Sequence, residues 1–121
     1  QSKSVITYTN DQGIWTETKL SDGTTMLEGT GFKRCNKQQI NSIYSYIAQI
    51  SVPKQLNVVL YIDSQVYINF IPSDNTQLLD YRSTYYNNIN QIEIKRYYKD
   101  TSGSILPSYT NINWYIKGIL A

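Results

Sequence analysis

Apolar and polar positions alternate with a period of two along most of this chain, the pattern of strands that bury one face. Val5, Thr7 and Thr9 alternate with Ile6 and Tyr8, and Val58, Leu60 and Ile62 with Val59 and Tyr61. Val66, Ile68 and Phe70 oppose Tyr67, Asn69 and Ile71; Ile92 and Ile94 oppose Glu93 and Lys95; Ile112, Trp114 and Ile116 oppose Asn113, Tyr115 and Lys117. The pattern predicts an all-β fold, an antiparallel β-sandwich or barrel of about seven to nine strands. Turn-forming clusters fall between the alternating runs: Ser21-Asp22-Gly23, Asp63-Ser64-Gln65, Ser73-Asp74-Asn75, the tract from Ser83 to Asn90, and Lys99 to Ser104. The last two are long enough to be binding loops. Pro53 suits a strand start and Pro72 a strand end, where a missing N–H costs no central ladder bond. Ile40, Ile43, Tyr44, Ile47 and Ile50 fall at helical spacing, and Asn36 with Gln39 fits a capping box. The Ile, Tyr, Ser and Asn content of that stretch favours the other reading, a loop followed by a strand from about Ile43.

The opening run from Trp15 to Gly29 reads as two strands around Asp22-Gly23. Asp-Gly is a preferred centre of a two-residue hairpin turn, in which both positions need positive φ. Counting outward from that turn opposes Glu17 to Glu28, with Cβ atoms about 5 Å apart. Two carboxylates about 5 Å or 6.5–9.5 Å apart are what glycan hydrolysis requires. Directly opposed like charges on a hairpin more commonly face solvent or meet Lys and Arg from a neighbour, and that reading is preferred.

A length of 121 residues suits one domain with one core, divided here into a connecting N-terminal strand over residues 1–10 and a sandwich over 11–121. The net charge of +2 comes from eleven basic and nine acidic residues scattered along the chain, with no basic stripe for a nucleic-acid backbone. With no apolar stretch of about eighteen residues and no leader, the chain reads as soluble, without membrane insertion. The lone Cys35 forbids an intrachain disulfide and reads as a packed, reduced thiol. The absence of histidine removes Ser-His-Asp and Cys-His catalysis and most transition-metal sites together. Asp63, Asp74 and Asp80 have no calcium-loop spacing, so no cofactor or metal is expected. Twelve tyrosines among many Asn, Ser, Thr and Gln point instead to recognition, since Tyr offers a rigid amphipathic face at low entropic cost.

Trp15 and Trp114 lie within strand patterns and read as core. Tyr85-Tyr86-Asn87-Asn88 lies in a turn-rich tract, where rings beside amides suit a sugar: C–H faces stack on the ring and amides bond the hydroxyls. In Tyr97-Tyr98-Lys99-Asp100 the adjacent rings point to opposite faces, so at most one is core, and Tyr109 and Asn111 flank the same loop. The candidate ligand-binding rim is therefore Tyr85, Tyr86, Asn88, Tyr98, Asp100 and Tyr109. Lys33, Arg34 and Lys37 form a small basic cluster suited to an anionic polymer or simply to solvent.

The opening hairpin also resembles one in the distal head domains of bacteriophage and prophage tail fibres. There a "Trp … Lys-Trp-Ser-Asp-Gly-Thr … Glu-x-Trp-Gly" hairpin opens a small β-sandwich. Here Trp15 lies six residues before Ser21-Asp22-Gly23-Thr24, and Gly29 five residues after Thr24, with Leu20 in place of the family's second Trp and no Trp between Glu28 and Gly29. Ile50-Ser51-Val52-Pro53 is similar to the family's "Ile-Ser-Phe-Pro" step, and Trp114-Tyr115-Ile116-Lys117-Gly118 to its closing "Trp-Tyr-Ala-Ile-Gly" strand. The resemblance implies a homotrimer at the tip of a virion's tail fibre, outside the cell. It implies a non-enzymatic receptor-binding role toward a bacterial cell-surface glycan. Two alternatives stand beside it: a structural knob that caps the fibre trimer without a ligand, and a glycan depolymerase.

Overall fold

The computed structural model describes residues 4–67, 76–100 and 106–121, and these form two packed antiparallel sheets, a β-sandwich. The strands are β1 (Ser4–Thr9), β2 (Ile14–Lys19), β3 (Thr25–Asn36), β4 (Gln38–Ile40), β5 (Ile43–Ser51), β6 (Leu56–Tyr67), β7 (Thr76–Tyr86), β8 (Gln91–Asp100) and β9 (Tyr109–Leu120). Sheet A has the order β1-β2-β3-β9-β6 and sheet B the order β4-β5-β8-β7. Residues 4–9, expected as a connecting strand, pair along their whole length with β2 as an edge of sheet A.

Alternation builds the core. Trp15, Leu27, Ile112, Trp114 and Ile116 point inward from sheet A and meet Tyr46, Ala48, Ile50, Ile92 and Ile94 from sheet B. As expected, both tryptophans are core, with ring centroids 5.3 Å apart. The Trp15 indole N–H donates to Asn10 Oδ1 at 2.8 Å, and the same oxygen accepts the N–H groups of Gln12 and Gly13. One side chain thereby pins the indole and the β1–β2 turn together. Gly29 leaves room for the Trp15 ring, because a Cβ there would lie 2.3 Å from ring carbons. Cys35 is buried and free, and burial pushes its thiol up to about 11.

The ambiguous stretch is strand, not helix. β4 and β5 join through Asn41-Ser42, with Asn41 at φ 57°, a left-handed position that Asn tolerates. β5 starts at Ile43, and its even positions Tyr44, Tyr46, Ala48 and Ile50 fill the core.

Three expectations are corrected. The opening hairpin closes with Lys19 opposite Thr25, so its loop is one residue longer than a two-residue turn centred on Asp22-Gly23. The Gly23 N–H donates to Leu20 O at 3.1 Å, the Leu20 N–H donates to Thr24 O at 2.8 Å, and only Gly23 among these turn residues has positive φ, at 90°. This is a type I turn followed by a left-handed glycine, and Asp22 Oδ1 locks it by accepting from Thr24 N and Oγ1. A one-residue change in register sends alternate side chains to opposite faces. Glu17 therefore opposes Leu27, Glu28 opposes Thr16, and the two carboxylates lie on different faces of sheet A.

The expected turn at Asp63-Ser64-Gln65 does not form. β6 runs through it, with Asp63, Ser64 and Gln65 paired to Tyr115, Trp114 and Asn113. The buried Arg96 guanidinium donates to the Ser64 carbonyl at 3.1 Å and to its hydroxyl, and it stacks on Tyr81. Pairing with a twelve-residue partner strand overrides the local turn preference of Asp-Ser. The first half of the tract from Ser83 to Asn90 is likewise strand: β7 continues to Tyr86, leaving a turn over 87–90 with Asn90 at φ 50°. Ser73-Asp74-Asn75, Ile68 to Pro72 and Thr101 to Ser104 lie outside the described residues.

Candidate functional site

The six rim residues occupy three separate places. Tyr85 points inward at the β7–β8 turn, packed against the core. Its hydroxyl accepts from Gln55 Nε2 at 3.0 Å and Leu56 N at 3.3 Å and donates to Asn90 Oδ1 at 2.5 Å, so it ties the turn to the start of β6. Tyr86, on the opposite face, is 38% exposed and donates its hydroxyl to Glu93 Oε1 at 3.2 Å, while Asn88 is exposed in the turn. Tyr98 lies at the far end of β8, half-buried and edge-on to Tyr46 with centroids 6.0 Å apart. Gln91, opposite Tyr86, and Tyr98 are seven residues apart on β8, which at ~3.3 Å per residue is roughly 23 Å. Asp100 ends β8 opposite Thr76, and its side chain lies outside those described. Tyr109 opens β9, exposed, with the Arg34 guanidinium 3.8 Å above its ring. Tyr85 and Tyr98 are structural, and Tyr86 and Asn88 are the members left facing solvent together.

Tyr86 leads to a cleft that the rim did not include. β4 pairs with Ile43, Tyr44 and Ser45, so among the described residues the rest of the β5 edge has no strand beside it in sheet B. Along that open stretch lies a cleft of about 440 Å³. Its floor is the outer face of sheet B, from Ile47, Gln49 and Ser51 of β5 to Gln91 and Glu93 of β8. Gln12 from the β1–β2 turn, Lys33 from β3 and Gln38 from β4 complete the walls. Gln12 is fixed there because its Oε1 accepts the Ser51 N–H at 3.2 Å.

Glu93 is the fixed point of this cleft. Gln49 Nε2 donates to its Oε2 at 3.2 Å, and Tyr86 and Lys95 Nζ both approach Oε1 at 3.2 Å. Burial alone would raise the Glu93 carboxyl, but the bonds from Gln49, Lys95 and Tyr86 outweigh it and hold the group below its ordinary value. The result is an ionised, oriented carboxylate among four glutamine amides, an ammonium and a tyrosine ring. Amides both donate and accept, and a fixed carboxylate accepts from paired hydroxyls, so the set suits a polyhydroxylated ligand.

The remaining candidates disperse. Strand alternation sends Lys33 to the cleft and Arg34 to the Tyr109 ring, while Lys37 Nζ donates to Leu106 O at 3.0 Å. The basic cluster is therefore not one patch. Glu17 is buried, accepting from Tyr8 OH at 2.7 Å and Lys54 Nζ at 3.0 Å, and Glu28 on the outer face accepts from Tyr115 OH at 2.5 Å. The carboxylate pair considered for hydrolysis is not assembled. Among the described residues, no group of three or more His, Cys, Asp or Glu is placed to hold a metal.

Sequence reasoning missed Gln49, Gln91 and Glu93. Their outward parity was visible, but Gln49 opposes Glu93 and Ser51 opposes Gln91 only through the β5–β8 pairing, some forty residues apart in the chain. No known protein family, curated protein or solved structure matches this chain.

Proposed function

We propose that this chain is the receptor-binding tip of a tail fibre of a bacteriophage or phage-tail-like particle, and that it attaches as a homotrimer to a bacterial cell-surface carbohydrate. The observation that carries the reading is the cleft: four glutamines around a carboxylate held by Gln49, Lys95 and Tyr86, with the Tyr86 ring exposed at its flank. The sandwich fold agrees with what the tail-fibre resemblance implies. Subunit contact has support in exposed apolar side chains at the other end of sheet B, where Ile40 (76% exposed), Ile43 and Leu79 lie near the paired ends of β4, β5, β8 and β7.

Linked shallow sites make such a tip effective. A millimolar site is worth only about 4 kcal/mol, and engaging linked copies raises overall binding by roughly 10²–10⁴. The test is an array of bacterial surface glycans probed with the purified domain. Saturable binding to at least one glycan, competed by the free saccharide, is expected; a folded trimer that binds none is the ligand-free knob instead.

A further inference from the structure

The outer face of sheet A, opposite the cleft, carries its own groove. A depression of about 240 Å³ around Thr16, Glu28 and Tyr115 adjoins one of about 180 Å³ that reaches Asp63 and Asn113, and Thr30 and Tyr115 line both. The groove exists because short side chains occupy its middle. Thr30 folds down to donate to the Trp114 carbonyl at 3.2 Å, while Ile14 and Phe32 stand up on the same face, 50% and 67% exposed.

Three features give it chemistry. The Tyr115 hydroxyl donates to Glu28 Oε2 at 2.5 Å, which fixes the carboxylate and leaves Oε1 without a partner among the described residues. That bond comes first, ahead of burial, in raising the Tyr115 phenol to about 12, so the phenol remains a donor throughout the neutral range. The Tyr61 ring, half exposed, stands edge-on to Tyr115 with centroids 5.7 Å apart. Register places Thr30, Tyr115 and Asp63 in one row across the sheet and Glu28, Lys117 and Tyr61 in the next.

We infer that this groove is a second saccharide site, in which the fixed Glu28 carboxylate accepts from ring hydroxyls while a C–H face of the sugar packs on Tyr115 and Tyr61. Among the described residues of these two rows, the Glu28 and Asp63 carboxylates against the Lys117 ammonium disfavour an anionic ligand and leave a neutral sugar as the class that fits. Only the choice of ligand class rests on the proposed receptor-binding role; the location rests on the groove. With sites on both outer faces, one domain could grip a branched or folded-back glycan from two sides.

The test is backbone amide NMR of the full chain, titrated to tens of millimolar with methyl glycosides of glucose, galactose and mannose and with N-acetylglucosamine. At least one probe should shift the amides of Thr16, Glu28, Thr30 and Tyr115 saturably. Tyr115→Phe, which frees the carboxylate, should weaken that binding several-fold, and Glu28→Gln should weaken it further, with the remaining spectrum unchanged. No shift at these amides with any probe, or equal shifts in both variants and the parent, overturns the inference. Shifts confined to Gln12, Gln49, Gln91 and Glu93 overturn the groove while supporting the cleft. Shifts confined to the groove leave this inference standing and overturn the cleft.

Discussion

At the scale of single residues, the sharpest consequence lies in Glu17. Burial would raise its carboxyl, but hydrogen bonds from Tyr8 and Lys54 outweigh that and hold it below the ordinary value of 4.5. A depressed carboxylate stabilises the fold above its unfolded pKa, and the contribution is lost as pH falls through the folded value. Lys54 is 56% exposed, so solvent screens its share and the Tyr8 bond carries more of the effect. Glu17→Gln should therefore cost about 1–2 kcal/mol at neutral pH, where the variant melts below the parent. The gap should close as pH falls past 4.5 and the parent's carboxylate is protonated. Melting temperatures across that range decide it, and a gap independent of pH would mean the charge contributes nothing.

At the scale of elements, the strands were largely legible because alternation is local, as at Tyr44 to Ile50 and Ile112 to Ile116. What failed was loop length and long-range pairing. Ser-Asp-Gly signalled a turn correctly, but a two-residue and a three-residue loop use the same residues, and the difference moved Glu17 and Glu28 to opposite faces. Asp63 to Gln65 read as a turn because nothing local reveals that β9 is long enough to pair across it. Tyr85 read as a surface ring because its partners, Gln55 and Leu56, come from another strand's start.

The same hairpin provides a comparison between two glycines. Gly23 sits at φ 90° with nothing within 4 Å of a built Cβ, so Gly23→Ala meets only backbone strain, about 1–2 kcal/mol. Gly29 has no such φ, but its Cβ would enter the Trp15 ring, and a buried indole cannot yield without disturbing Trp114. Gly29→Ala should cost more, about 2–3 kcal/mol or above, as overpacking does. Denaturant melts of the two variants check the order. A smaller loss at Gly29 would mean that Trp15 has room to move.

At the scale of the whole molecule, the sandwich divides its surface. One end of sheet B is apolar around Ile40, Ile43 and Leu79, the other end holds the glutamine cleft, and sheet A's outer face carries the groove. If the apolar end is where copies meet, the domain should run at about three times its 14.0 kDa in light scattering, and Leu79→Asp should shift it toward the single-chain mass with its β-sheet signal retained. A parent that is monomeric at micromolar concentration would remove the trimer from the account.

Attachment is the central claim, and Tyr86 and Gln91 are the side chains that test it. Tyr86→Ala removes the ring at the cleft's flank, and Gln91→Ala removes an amide from its floor; neither side chain belongs to the packed core. Each change should weaken a single site by about a kilocalorie, roughly five-fold. In the proposed trimer, three copies engaged together would multiply the loss, so adsorption to host cells should fall on the order of a hundred-fold while mass and melting temperature stay at parental values. If the domain is the receptor-binding tip proposed above, the decisive measurement is adsorption of the labelled domain to a bacterium that carries its glycan, parent against Tyr86→Ala and Gln91→Ala. A steep fall in both variants is the predicted result, and adsorption equal to the parent's in both would contradict the cleft as the receptor site.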